Sequence, residues 1–416
     1  MKSDDAHRPS LPFGVYFHVP LCQAKCAYCD FISWPVESLG AGRRGRIVHA
    51  LEREVGLAQS ANRILRGRAI DTIYFGGGTP SLLHPNEVAR LVRHVLKSFV
   101  PRGFAPSSWR KDETNSATDE PNSSADPVIE ITLECNPVSA GAPRIEEYIK
   151  AGVNRISLGV QSFDPKVLSE LDRPHSIQET RQAIQRIRSA GFLSWGIDLI
   201  FGAPDSSLEQ WRVDLDEAIS YEPPHISVYG LTLHEGTRLY ERHARRQVQL
   251  PPEETQREMF LMARDALTSA GWHHYEISNY ARPGHRSRHN SIYWNGGEYL
   301  GLGVGAHSFF GGTRCSNPET LDDYLSAVEG SRYPAVEEDA PSLRSRRAER
   351  IMLALRQCDG IDLHRLSRDL GCDFQVEYAN EIERLVETGL LIVSSHDVGL
   401  TDEGILLSDS VFEEFF

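Results

Sequence analysis

Three cysteines within eight residues, Cys22, Cys26 and Cys29, constrain this chain more than any other feature of it. Their C-x3-C-x2-C spacing lets one short loop present three thiolates to three corners of a cubane iron–sulfur cluster, whereas a [4Fe-4S] cluster ordinarily takes four. A loop that stops at three leaves one iron open to a small ligand. A zinc site, with His18 or a distant cysteine as fourth donor, is the alternative the residue types leave, although zinc modules usually show two paired ligand clusters. Cys135, Cys315, Cys358 and Cys372 are spaced too irregularly for a disulfide framework or a second cluster, and read as buried small side chains.

No apolar run reaches the roughly 18 residues that span a bilayer, and the stretch from Met1 to Phe13 lacks the apolar core of a signal peptide. A cytoplasmic chain is therefore expected, in keeping with reduced thiols. The formal net charge of -14 argues against nucleic acid as the main partner, because affinity for a polyanion comes largely from Lys and Arg. Residues 105–126 are rich in Ser, Asn, Asp, Glu and Pro without apolar period and read as a solvated insertion.

Between Gly14 and Tyr229, short β-branched runs alternate with segments of helical period, the pattern of β-α units around a parallel sheet. Strands are expected at Val15–His18, Ile70–Phe75, Val128–Leu133, Arg155–Leu158, Leu193–Ile200 and Ile226–Tyr229. Ile47, Leu51 and Val55, and then Val88, Leu91, Val92, Val95 and Leu96, recur at three- and four-residue steps and mark buried helix faces. Functional residues of such a fold gather at the carboxyl ends of the strands. The cysteine loop follows the first expected strand and Gly76-Gly77-Gly78-Thr79 the second, where glycines let backbone N–H groups approach a ligand. Glu134 ends the third, Gln161 follows the fourth and Asp198 lies in the fifth.

With these motifs in this order, the chain resembles the radical SAM superfamily. The resemblance implies a partial (β/α)6 barrel, an α/β fold, that binds a [4Fe-4S] cluster through Cys22, Cys26 and Cys29 and S-adenosylmethionine on its open iron. It further implies that Tyr16 and Tyr28 flank this cofactor, Gly77, Gly78 and Thr79 meet its amino group, and Glu134 and Gln161 contact it. Arg173 would neutralise its carboxylate and Asp198 bind its ribose.

Over Gly14 to Phe310 the motif order is similar to that of the oxygen-independent coproporphyrinogen dehydrogenases and, more closely, of the HemW heme-chaperone family. The dehydrogenases carry a further cysteine two residues after the third; Phe31 stands there instead. His289-Asn290-Ser-Ile-Tyr293-Trp294 matches the HNxxYW motif of HemW, which implies heme contact near His289, Tyr293 and Trp294, with His18, His307 and Cys29 as further possible iron ligands. His234 departs from the pattern, because relatives commonly place an acid there. The domains expected are a 1–13 tail, a 14–240 barrel, a 241–340 extension carrying HNxxYW, and a winged-helix-like 341–416. That last part holds 8 basic and 15 acidic residues, unlike a duplex reader, so it reads as a lid or protein contact. The expected function is a heme chaperone that passes heme to an apo-hemoprotein, a respiratory one included, without a transmembrane segment and with at most peripheral membrane association. Radical oxidation of coproporphyrinogen III to protoporphyrinogen IX is the enzymatic alternative.

Overall fold

The structure, a computed structural model, describes residues 12–102, 128–338 and 341–416; the insertion expected at 105–126 and residues 1–11 of the tail lie outside them. Six parallel strands follow one another in sequence and in space: β1 (Phe13–Val19), β2 (Thr72–Gly77), β3 (Glu130–Cys135), β4 (Arg155–Gln161), β5 (Ser194–Phe201) and β6 (His225–Gly230). They are the six expected strands, each beginning within two residues of its expected start. Beyond β6 the sheet gains a small antiparallel pair, β7 (His273–Glu276) and β8 (Asn279–Ala281). Beyond β1 it gains a seventh parallel strand, β9 (Glu298–Leu302), then antiparallel β10 (His307–Phe310), β11 (Thr313–Ser316) and β12 (Val336–Glu337). β9 is not among the expected strands, and its Tyr-Leu-Gly-Leu-Gly run carries glycines of the kind that weaken a strand. Gly301 is required there, since a Cβ would collide with the His307 carbonyl of the returning strand.

Alternation within each strand decides what faces where. On β1, Phe13, Val15, Phe17 and Val19 are fully buried in the core, while Tyr16 and His18 belong to the other face. Helices cover the crossovers: α1 (Arg43–Ala61), α2 (Pro85–Ser98), α3 (Ala142–Lys150), α4 (Ile177–Ala190) and α5 (Leu208–Ser220). The expected apolar stripes are what they bury, with Ile47, Leu51 and Val55 of α1 and Val88, Leu91, Val92 and Val95 of α2 all at 0% exposure. Each such side chain contributes about 1.5–3 kcal/mol. α2 starts cleanly because His84 and Glu87 form a reciprocal capping box.

Residues 341–416 build a separate core around Ile351, Leu366, Phe374 and Val411. Its helices α7 (Leu343–Leu355) and α8 (Leu363–Leu370) and a three-stranded sheet of Ile361–Asp362, Leu391–Val393 and Asp397–Leu400 give the winged-helix-like order expected. Two further short helices, Asp402–Leu406 and Ser408–Glu413, close it. A short helix before this region, α6 (Arg288–Trp294), carries the HNxxYW residues.

Candidate functional site

At the carboxyl ends of β2 to β6 lies a cavity of about 430 Å³, walled by the inner face of the sheet and by the cysteine loop. Register builds it. Tyr74 lies beside Tyr16, Glu134 beside Ser157, and Gly159 beside Asp198, so neighbouring strands deliver polar side chains to one wall.

All three cysteines line this cavity, Cys22 buried and Cys26 and Cys29 half-buried. Their loop is closed at its base by pairing of Leu21–Cys22 with Trp34–Pro35 and pinned in the middle by the Ala27 amide on the Leu171 carbonyl at 3.1 Å. Burial pushes the Cys22 and Cys29 thiols up; metal ligation would take those protons off outright. His18 donates from Nε2 to the Ile32 carbonyl at 2.7 Å and accepts from Tyr16 at 3.2 Å on Nδ1, which spends both nitrogens a zinc ion would need. Among the described residues no three His, Cys, Asp or Glu side chains converge as one ion requires. A cubane instead spreads its irons, one to each thiolate, and the donor set fits it.

The same cavity fits a cationic amino acid conjugate. Arg173 reaches it from the turn after the short helix Pro165–Glu170 and donates to the Gly159 carbonyl at 2.8 Å, with Cys26 Sγ and the Tyr28 hydroxyl each 3.4 Å away. Its buried Nε has no hydrogen-bond partner among the described residues, a donor awaiting an acceptor. Burial first, then the neighbouring thiols, push the Tyr28 hydroxyl up to about 12 against the lowering effect of Arg173. Gln161 holds a left-handed backbone at φ 70°, strain of the kind that concentrates at functional sites. Glu134 accepts from Tyr74 at 2.8 Å, and burial raises its carboxyl to about 7. Asp198, also raised by burial, accepts from Ser157 on both oxygens at 2.9 and 3.0 Å.

Two expected details change. The glycine segment does not offer free N–H groups, because Gly77 donates to Glu134, Gly78 to the Val19 carbonyl and Thr79 to the Leu21 carbonyl. What it offers a ligand is room and carbonyl lone pairs, which suit an ammonium. Its glycines are needed for chain packing: a Cβ on Gly78 would lie 2.5 Å from the Leu21 carbonyl oxygen, and Gly77 has φ 105°. Tyr16 stands outside the cavity wall, its ring stacked on Tyr74 at 6.1 Å. Wall residues the sequence reading missed include Tyr74, Ser157 and Tyr229; they lie three, four and one residues before the ends of β2, β4 and β6, and the strand period of two, which puts Tyr74 on the face of Gly76 and Ser157 on that of Gly159, was the available signal.

The α6 residues occupy a different place. His289 is 1% exposed and sits by the amino-terminal starts of β1 and β2, its Nδ1 2.6 Å from Thr72 Oγ1 and its Nε2 2.9 Å from the Tyr293 hydroxyl. Its ring stacks on Tyr74 at 4.9 Å, and burial takes its pKa down to about 3. Trp294 packs at the seam with the last domain, under the Arg356 guanidinium at 4.5 Å. As placed, His289 reaches an iron only by giving up one of its bonds.

Residues 16–218 match the Radical SAM superfamily and residues 342–407 the HemN C-terminal domain. The heme chaperone HemW of Escherichia coli K12 is 37% identical over 71% of this chain and 70% of its own length, and that of Mycobacterium tuberculosis H37Rv 32% over 98% and 95%. The solved structure of Escherichia coli coproporphyrinogen III oxidase, HemN, has the same fold, with TM-score 0.76 over 99% of this chain and 91% of that one at 21% identity. Among the described residues no helix is long and apolar enough to cross a membrane. A cluster-type cysteine loop on the carboxyl face of this barrel, and relatives at this identity over nearly the whole chain, make the protein a member of the HemW family within the radical SAM superfamily.

Proposed function

We propose that Cys22, Cys26 and Cys29 hold a [4Fe-4S] cluster, that S-adenosylmethionine takes its open iron, and that the protein carries heme to an apo-hemoprotein. When bound, that pair supplies one-electron chemistry. Arg173 binds the cofactor carboxylate with its unpaired donor, and Asp198, held by Ser157, accepts from a ribose hydroxyl. Glu134, with a carboxyl raised to about 7, loses its proton as the ammonium arrives and gains a charge partner. Ile200 and Leu231 on the wall exclude water. Membrane hemoproteins would be met peripherally.

The observation that carries the chaperone reading is Phe31, 56% exposed on the cavity lining where the dehydrogenase pattern puts a cysteine. The dehydrogenase reading keeps support from the shared fold and is separated by experiment. Anaerobically reconstituted protein given heme, then an apo-acceptor, is expected to take heme up stoichiometrically and release it. Given coproporphyrinogen III with reductant, it is expected to make no protoporphyrinogen; multiple turnovers would reverse the assignment.

A further inference from the structure

The domain of residues 341–416 is joined to the barrel more by charge than by apolar packing. Of the partly buried hydrophobic side chains packed against its core, only Ile277 comes from outside it. Ion pairs cross the seam instead, and in four of them the barrel side supplies the arginine. Arg257 meets Glu403 and Arg264 meets Asp402, both at 2.9 Å, while Arg286 pairs with Asp359 and Arg314 with Glu349. Part of the domain's acidic surplus therefore faces its own barrel. Exposed pairs of this kind hold weakly and are screened by salt. Beside them a cavity of about 470 Å³ separates Phe201, Val228 and Phe260 from Ile405 and Leu407. Two domains that meet over ion pairs and an unfilled apolar gap part without breaking a shared core.

What the seam covers is the end of α6. Besides the Arg356 guanidinium over its ring, Trp294 has a carbonyl that accepts from Arg350 at 3.3 Å and Gln357 at 3.4 Å, and Arg365 donates to Asn295 Oδ1 at 2.8 Å. Main-chain bonds from Ile277 to the Arg356 carbonyl and from Cys358 to the Tyr275 carbonyl, each 3.1 Å, complete this part of the join. Closure leaves polar atoms unsatisfied. Trp294 Nε1, Arg356 Nε and Glu276 Oε2 are buried without hydrogen bonds among the described residues, the last of them 3.6 Å from Arg356. Water would pair all three on opening, which lowers the cost of parting the seam. We infer that residues 341–416 are a releasable cover, clasped over the carboxyl-terminal turn of α6 by the ion-pair seam, and that its lifting bares the Trp294 face to heme. Once Arg356 leaves the ring, the indole offers flat apolar area to a macrocycle and the guanidinium offers donors to a propionate. The cargo rests on the heme-carrying reading above; the motion is measurable without it.

The test takes full-length, cluster-loaded protein and reads amide hydrogen exchange along α6 without heme, then the rate of heme uptake from the Soret band. Arg257→Gln combined with Arg264→Gln cuts two pairs of the seam away from α6. It is expected to raise exchange at α6 and the uptake rate together, by about five-fold, with heme stoichiometry and iron content unchanged. Raising salt from about 0.05 M to about 0.5 M should do the same to wild type and less to the variant. Arg384→Gln, which breaks the Arg384–Glu414 pair inside the domain, should change neither readout. Wild-type exchange and uptake in the seam variant would overturn the cover, as would an equal rise in Arg384→Gln, the mark of a domain merely loosened. Wild-type protein that takes no heme would bring down the heme-carrying reading, and exchange at α6 that still rose in the seam variant would then leave the cover standing without that cargo.

Discussion

His289 and His234 lie at opposite ends of one sheet and differ in nearly everything but their side chain. At the amino-terminal end, His289 is 1% exposed with both nitrogens bonded and an aromatic ring stacked on it. At the carboxyl end, His234 has a half-exposed side chain with one nitrogen near a carboxylate, on a cavity lining that also holds the exposed Phe31. The first arrangement satisfies every polar group and resists change. The second leaves donors and acceptors to spare. A motif can therefore be chemically rich in sequence and already saturated in the fold.

The largest effect should come at the carboxyl end. Replacing Cys22, Cys26 or Cys29 with Ala is expected to take reconstituted protein from about four irons per chain to nearly none. Retention of a full complement in each variant would remove the loop from the cluster and with it the contrast between the two ends. A step smaller, Arg173→Ala and Asp198→Asn should weaken S-adenosylmethionine binding by about ten-fold or more, since each removes a charged hydrogen bond of about 1.5–3 kcal/mol. Iron content should hold. If affinity held and iron fell instead, these residues would belong to the loop's support.

At the saturated end the readout changes from ligand to stability. His289→Ala leaves the Thr72 and Tyr293 hydroxyls without partners and opens space under Tyr74, so a loss of about 3 kcal/mol in unfolding free energy is expected. Denaturant melts with unchanged heme uptake would sharpen the comparison. Lost heme uptake at full stability would break it.

How much of this was legible depended on whether the determining contacts were local. The six strands and the stripes of α1 and α2 follow from periods of 2.0 and 3.6, and both survived into the fold. The cysteine loop was readable because its spacing is itself the chemistry. β9 was not, because Gly301 serves a close approach to His307, a contact made across the turn rather than within the strand. Nor were the spent amides of Gly77 to Thr79, since their acceptors lie on β1 and β3 and on the residues that open the cysteine loop. The bonding of His289 was hidden for the same reason: one of its two partners, Thr72, lies 217 residues away.

Glu54 gives the most delicate test, because it supports the cysteine loop from behind while being saturated like His289. Fully buried on α1, it accepts from the Gly303 amide at 2.8 Å, Asn317 Nδ2 at 2.6 Å and the Tyr324 hydroxyl at 2.7 Å. The Gly303 to Gly305 turn it holds packs against the His18 carbonyl and the Ile32 side chain of the cysteine loop. No cation offsets its charge among its partners, and burial raises its pKa from 4.5 to about 7. The native state thus binds a proton that the unfolded chain releases near 4.5, so this residue's share of stability is present at low pH and is lost as pH rises from about 4.5 to about 7. The share is on the order of 3 kcal/mol. Glu134, raised to a similar value by burial, acts in the same window and direction, so only a difference between proteins isolates Glu54. Glu54→Gln should flatten the fall in urea midpoint between about pH 5 and about pH 8 relative to wild type. An identical fall in both proteins would mean that Glu54 stays ionised throughout, its three donors outweighing the cost of burial.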